Sequence, residues 1–138
     1  MAGLATDQLL ELLVECEALA DRDSVAATSC RRVRMVEAYM RAHYATISSM
    51  VDVAEFAGVG LRSLQASFKA ARGLSPREVL TRTRLEEARR RLLTGTDDSA
   101  GVTGVALACG FTHLGRFAQQ YRRLYGESPS GTLGRRAA

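Results

Sequence analysis

Apolar side chains recur every three or four positions along most of the chain, which is the period of an amphipathic α-helix. Over residues 5–20 the repeat consists of Leu9, Leu13, Cys16 and Ala20, with Leu12 and Leu19 beside them. A second helix is predicted from about Arg31 to Tyr44, with its apolar face formed by Val33, Val36, Met40 and Tyr44. The stretch DRDSVAATS (21–29) between the two is predicted to be a linker. No segment alternates as a strand would, so the pattern predicts an all-α fold.

Residues 49–73 are predicted to form two short helices joined by a glycine-containing turn. Ser49 can cap the first helix and Asp52 adds an acid to its first turn, while Gly58 can end it in the left-handed conformation. The second helix buries one face, formed by Leu61, Leu64 and Phe68. Its other face presents Arg62, Gln65, Ala66 and Lys69. This arrangement is typical of a helix-turn-helix unit.

The only two prolines of the chain both lie in the pattern G-x-S-P, at residues 73–76 and 126–129. In each copy the glycine, Gly73 or Gly126, is predicted to end one helix and the Ser-Pro pair to open the next. Pro76 can take the first helical position, with Ser75 and Glu78 forming a capping box. A long linker helix is therefore predicted over about 75–94, and the residues that it is predicted to bury are Val79, Leu80, Leu85, Ala88, Leu92 and Leu93. The second copy, SPSG, lacks the capping glutamate and is predicted to open only a short tail.

The pattern of the first unit returns later in the chain. VDVAEFAGV (51–59) corresponds to TGVALACGF (103–111) at an offset of 52 residues, and Gly58 thereby aligns with Gly110. From Leu64 and Phe117 onward the offset is 53, so one residue has been inserted in the second turn. A second helix-turn-helix is therefore predicted over about 101–126.

The two predicted copies differ at the start of their first helix. Gly101 and Gly104 stand where the first copy has Ser49 and Asp52, so the cap and the first-turn acid are missing. Glycine inside a helix costs about 1 kcal/mol relative to alanine. We therefore expect the second subdomain to be the looser one and to contribute less sequence readout.

The segment RLEEARRRLL…VTGVALACGFTHLGRFAQQYRRLYGESPS resembles the DNA-binding domain of AraC/XylS-type bacterial transcription regulators. The resemblance covers roughly residues 31–134 and leaves 1–30 as an N-terminal acidic helix and linker. It implies seven helices, with two helix-turn-helix subdomains joined by a rigid linker helix. It also implies sequence-specific binding to double-stranded DNA, with one recognition helix from each subdomain in successive major grooves.

The resemblance assigns DNA contacts to both recognition helices. In the first unit the implied residues are Arg62, Ser63, Gln65, Ala66 and Lys69. In the second unit they are His113, Arg116, Gln119, Gln120 and Arg123. Gly115 also falls on a base-reading position of the family, but it has no side chain and that contact is missing.

Charge supports a polyanionic partner. Residues 1–30 contain six acidic residues and one arginine, a net charge of −5, whereas 31–138 contain 18 basic and 9 acidic residues, a net charge of +9. A basic body of this kind indicates nucleic acid before a membrane. No apolar run approaches the roughly 18 residues of a membrane span. Three cysteines at wide, irregular spacing argue against a disulfide framework and indicate a reducing cytoplasm.

The sequence contains none of the usual catalytic sets. It has no Ser-His-Asp or Cys-His arrangement and no glycine-rich phosphate loop, so we predict no enzymatic activity, no cofactor and no metal. Cys109 is predicted to be a core thiol. The alternative is a non-catalytic helical module that has turned to binding a protein partner. Affinity for DNA that falls steeply with salt would distinguish a DNA reader from such a module.

Three further features leave alternatives open. The acidic N-terminal helix can either form a homodimer or pack on its own domain. RNA polymerase is a second partner that a regulator of this kind could contact. The arginine run at 89–91 is predicted to be a solvated face of the linker helix rather than a DNA clamp.

Overall fold

The computed structural model describes residues 26–95 and 101–137, and these residues form seven helices and no strand. The predicted all-α fold is therefore confirmed. The first helix, α1, covers residues 26–43 of the described part. The others are α2 (Met50–Ala57), α3 (Leu61–Arg72), α4 (Pro76–Thr94), α5 (Gly101–Ala108), α6 (Leu114–Tyr125) and α7 (Pro129–Ala137). In this described part no helix is both long and apolar enough to cross a bilayer.

The N-terminal boundary of α1 differs from the prediction. Residues 26–29 were predicted as linker, but they are helical and continuous with the rest of α1. Ala26 and Ala27 have the highest helix propensity of all residues, so the helix can include these positions at little cost. The predicted acidic helix over 5–20, and the remainder of the predicted linker, lie outside the described residues.

The first core is formed by α1, α2, α3 and the start of α4. Its largest buried side chains are Val33, Val36, Met40, Val53, Leu64, Phe68 and Leu80. The short helix α2 is held at both ends, because the Ser49 hydroxyl accepts a hydrogen bond from the Val51 amide at 3.1 Å and Gly58 ends the helix at φ 70°. Both predicted caps are confirmed.

The second core is formed by the C-terminal half of α4 together with α5, α6 and α7. Its buried residues are Leu85, Ala88, Leu92, Val105, Ala106, Cys109, Phe111, Phe117 and Tyr121. The capping box of α4 is present, since Ser75 and Glu78 each bond the other's backbone amide. Leu93 is 44% exposed, although the sequence predicted its burial. It lies one helical step of about 100° from Leu92, which occupies the buried stripe.

Pro129 opens a helix, as predicted for both copies of the G-x-S-P pattern, but this helix packs on the second core and is more than a short tail. Ser128 caps α7 by accepting the Gly131 amide at 3.0 Å, without a reciprocal glutamate. Thr132 is fully buried, and its hydroxyl lies 2.7 Å from the Tyr121 hydroxyl and 2.7 Å from a Glu127 carboxylate oxygen. The docking of α7 therefore depends on tertiary contacts.

The prediction that the arginine run at 89–91 is a solvated face holds only for Arg90, which is exposed. Arg89 and Arg91 are half-buried and bind partners elsewhere in the protein. Arg89 lies 4.4 Å from the centre of the Tyr125 ring and bonds Glu127 at 3.2 Å. Arg91 donates to the Tyr44 hydroxyl at 2.8 Å, and both Arg90 and Arg91 pair with Glu87. These pairs connect α4 to both subdomains.

The ion pairs of Glu87 predict a pH dependence of stability. Hydrogen bonds from Arg90 and then Arg91 lower the pKa of Glu87 from 4.5 to about 2, against partial burial, which raises it. The native state therefore favours the carboxylate. The stabilisation is complete above about pH 4.5 and is lost as the pH falls towards 2. Because Arg90 is well exposed, we expect a loss of only about 1 kcal/mol.

Urea unfolding at pH 6 and pH 3 measures this effect. Glu87→Gln should lose less stability between the two pH values than the natural protein does, since it cannot titrate at this position. The same pH dependence in both proteins would show that the pair contributes nothing measurable.

Candidate nucleic-acid interface

The first recognition helix, α3, separates a buried face from an exposed polar face. Leu64, Ser67 and Phe68 are buried against the rest of the first subdomain. All five predicted contact residues are exposed: Arg62, Ser63, Gln65, Ala66 and Lys69. The end of the helix is anchored by a two-bond pair between Arg72 and Glu37 of α1, at 2.9 and 3.2 Å. The predicted DNA-binding face is thus presented on a fixed helix.

The second recognition helix, α6, has the same organisation. Phe117 and Tyr121 are buried, and their rings pack with Phe111 in a tilted aromatic cluster. The predicted contact residues His113, Arg116, Gln119 and Arg123 are exposed, and Gln120 is half-buried. His113 occupies the N-cap position in an extended conformation and makes no capping bond with its side chain.

The charged residues predicted to contact DNA have no partner within the described part of the protein. Within residues 26–95 and 101–137, Arg62, Lys69, Arg116 and Arg123 make no ion pair and no side-chain hydrogen bond. By contrast, Arg72, Arg84, Arg89, Arg90 and Arg135 all have protein partners. Unpaired guanidinium and ammonium groups retain their full donor capacity for phosphate or base edges.

The turns of the two units repeat each other at the level of hydrogen bonds. In the first unit the Gly58 amide donates to Glu55 and the Val59 amide to Ala54, at 3.0 and 3.1 Å. In the second unit the Gly110 amide donates to Leu107 and the Phe111 amide to Ala106, at 3.1 and 3.0 Å. The residue inserted in the second unit lies after this motif, because α3 starts two positions after Val59 and α6 three positions after Phe111.

A joint centred on Arg84 fixes the two units relative to each other. The Arg84 guanidinium donates to the backbone carbonyls of Tyr44 at 2.7 Å and Ile47 at 2.6 Å. Burial lowers the pKa of this group. Gly110 of the second unit lies against the joint, since a Cβ placed there would be 3.0 Å from Arg84 Nε and 3.1 Å from the Ala45 carbonyl oxygen. The joint was missed in the sequence because its acceptors are backbone atoms.

A cleft of about 230 Å³ opens beside this joint, between the two units. It brings together three of the predicted contact residues of α6, namely His113, Arg116 and Gln120, with Arg77 and Thr81 of α4. A second cleft of about 420 Å³ shares Arg77, Thr81 and Gln120, and its further charged residues are Glu78, Arg82 and Arg123. The five contact residues predicted on α3, and Gln119 of α6, line neither cleft.

Arg77 and Thr81 were not among the residues predicted from the sequence to contact DNA. In the sequence Arg77 is part of the capping sequence SPRE, and Thr81 is one of the polar residues of α4. A signal was available, because residues 77, 81 and 84 are spaced by four and three positions and therefore share one stripe of the helix.

Comparison with known proteins identifies relatives over most of the chain. A family model described as a helix-turn-helix domain matches residues 53–135. The chain is 40% identical over 101 residues to a probable thc operon regulatory protein of Rhodococcus erythropolis, covering 73% of this chain and 30% of the relative. It is 33% identical over 134 residues to XylDLEGF operon transcriptional activator 3 of Pseudomonas putida, covering 97% of this chain and 39% of that protein. The chain therefore spans well under half the length of these two relatives.

Two solved structures have the same fold. A probable AraC family transcriptional regulator from Rhodopseudomonas palustris superimposes with a TM-score of 0.72 and 37% identity, covering 77% of this chain and 97% of that chain. An AraC-type DNA-binding domain-containing regulator from Chromobacterium violaceum gives a TM-score of 0.70 and 29% identity, covering 80% and 96% of the two chains.

Proposed function

We propose, since this chain belongs to the AraC/XylS-type family of helix-turn-helix transcription regulators, that α3 and α6 read two successive major grooves of one DNA site. DNA-binding transcription regulation is the function of the family, whose members normally carry no catalytic activity. The observation that supports the two-groove proposal is that α3 and α6 each present an exposed polar face and that α4 joins the two units.

The length of α4 supports this geometry. Its 19 residues span about 28 Å at 1.5 Å per residue. Successive major grooves on one side of DNA are about 34 Å apart. A single chain can therefore reach both grooves, and the expected site is asymmetric rather than palindromic. The Arg84 joint keeps the separation constant, because it binds α4 to the loop that precedes α2.

Individual roles follow from side-chain chemistry. Arg62 suits the paired acceptors of guanine and Gln65 the acceptor and donor of adenine, and each such contact contributes about 1–3 kcal/mol of discrimination. Lys69 suits a phosphate as a point charge. In the second unit Arg116 and Gln119 are assigned to bases, with His113, Gln120 and Arg123 beside them, while Gly115 contributes no side-chain contact.

Selection of bound sequences from random DNA tests the proposal. We expect an asymmetric site with two half-elements about 10 bp apart. On the selected site, Arg62→Ala should weaken binding about 10- to 100-fold and relax the preference at one position. Arg116→Ala should cost less, since the second unit lacks the Gly115 contact. Arg34→Ala, an exposed arginine of α1 that lines neither cleft, is the matched control.

Two outcomes would contradict parts of the proposal. Equal losses of specificity for Arg62→Ala and Arg116→Ala would remove the expected asymmetry between the units. No enrichment of any sequence at low salt would remove the DNA-reading function and favour the protein-interaction alternative.

The proposal extends to partners and location. The Pseudomonas putida relative named above is an operon transcriptional activator, and activation by this chain would require contact with RNA polymerase. Homodimerisation through the N-terminal helix stays a prediction, because that helix lies outside the described residues. A bacterial regulator of this kind works on DNA in the cytoplasm, and we assign the chain to that compartment.

A further inference from the structure

The cleft between the two helix-turn-helix units is built by three elements. One wall is the start of the first unit, with Ser48 and Met50. The other wall is the exposed side of α6, and the floor is the stripe of α4 that contains Arg77, Thr81 and Arg84. The cleft therefore lies between the start of the first unit and α6, along the part of α4 that joins the two units, and α3 does not line it.

Among the described residues, every formally charged side chain that lines this 230 Å³ cleft is an arginine. The three are Arg77, Arg84 and Arg116, and no described aspartate or glutamate lines the cleft. Arg84 is already committed to two backbone carbonyls, so it closes the inner end of the cleft. Arg77 is exposed and, among the residues that the structure describes, makes no ion pair or side-chain hydrogen bond. A concave surface lined by one sign of charge concentrates ions of the opposite sign.

Thr81 adds an uncommitted hydroxyl one turn from Arg77. Thr83, two positions further along α4, donates its hydroxyl to the Val79 carbonyl oxygen at 3.0 Å, as threonine commonly does in a helix. Thr81 is half-buried on the cleft floor and makes no side-chain hydrogen bond within the described ranges. A guanidinium and a hydroxyl spaced one turn apart are donors that suit phosphate oxygens.

We propose that Arg77 and Thr81 bind the phosphate backbone of the DNA segment that connects the two half-sites. This inference rests on the proposed function, since that function brings DNA across the cleft. The contact fixes the register of the duplex and carries no base information. Arg77 therefore increases the affinity of the protein for DNA of any sequence, whereas Arg62 increases its preference for particular DNA sequences.

The salt dependence of binding separates these roles. On the selected site Arg77→Ala should weaken binding about 5- to 20-fold and should weaken binding to unrelated DNA by the same factor. The slope of log affinity against log salt should decrease in magnitude by about 1. Arg34→Ala should leave both quantities unchanged. A normal urea midpoint for each variant excludes misfolding as the cause.

A chemical probe on the DNA locates the contact. Neutral methylphosphonate linkages placed between the half-sites should weaken DNA binding by the natural protein. On this DNA, Arg77→Ala should cause no further loss of affinity. An undiminished effect of Arg77→Ala on the neutral DNA, or an unchanged salt slope, would overturn the inference while leaving sequence-specific binding intact. If the natural protein bound no DNA at all, that result would instead contradict the proposed function, and the inference with it.

Discussion

Phe117→Ala is expected to destabilise the second subdomain by about 3–5 kcal/mol, the largest effect of any single substitution considered for this protein. Phe117 is 1% exposed, and its ring centre lies 4.7 Å from that of Phe111 and 5.8 Å from that of Tyr121. Truncation to alanine removes the central ring of this cluster and leaves a cavity. The free energy of unfolding of a domain is only about 5–15 kcal/mol, so this substitution removes much of it.

Urea unfolding combined with hydrogen exchange measures this loss and locates it. Protection should fall mainly in α5, α6 and α7, because Phe117 contributes to the second core and not to the first. Leu64→Ala is the equivalent substitution at the offset of 53 residues and should mainly affect the first subdomain. Uniform loss of protection across both subdomains in either variant would show that the two cores unfold as one unit.

Gly110→Ala is expected to cost about 2–4 kcal/mol, whereas the equivalent Gly58→Ala should cost about 1 kcal/mol. Both glycines have positive φ, 97° and 70°, so alanine is strained at either position. Only at Gly110 does the added Cβ meet neighbours within 4 Å, namely Arg84 and the Ala45 carbonyl oxygen. Backbone strain contributes to the stability loss of both variants. The additional loss of Gly110→Ala therefore measures how closely Gly110 packs against the joint.

Thermal or urea unfolding of the two variants gives this difference directly. Gly58→Ala is an internal control, since its Cβ would face open space. Gly110→Ala should also weaken binding to the two-element DNA site more than Gly58→Ala does, because it disturbs the relative placement of α3 and α6. Equal stability losses would mean that Arg84 moves aside without cost and that the joint is not rigid.

The sequence predicted the local features of the fold well. The helix ends at Gly58, Gly73 and Gly126 follow from the need for positive φ, and all three glycines have it. Ser49 and Ser75 cap the helices that begin beside them. Signals of this kind extend over three or four residues, so they can be recognised without knowledge of the rest of the chain.

Features that depend on distant residues were missed or predicted wrongly. Arg84, Arg89 and Arg91 look like solvent-exposed charges in the sequence, yet each binds a partner 37 to 47 residues away, at Tyr44, Ile47 or Glu127. The docking of α7 was also missed, because its glycines and absent capping glutamate weaken the local helix signal, while the burial of Thr132 is visible only in the structure.

The helical duplication and the polar face of each second helix can be recognised in the amino-acid sequence, because helical period, turn glycines and capping residues are short-range physical requirements. How the two copies are joined, and where Arg77 lies between them, follows only from the packing of distant segments. The reason is that the joint uses backbone carbonyls as acceptors, and every residue offers one, so no residue type marks the positions that Arg84 binds.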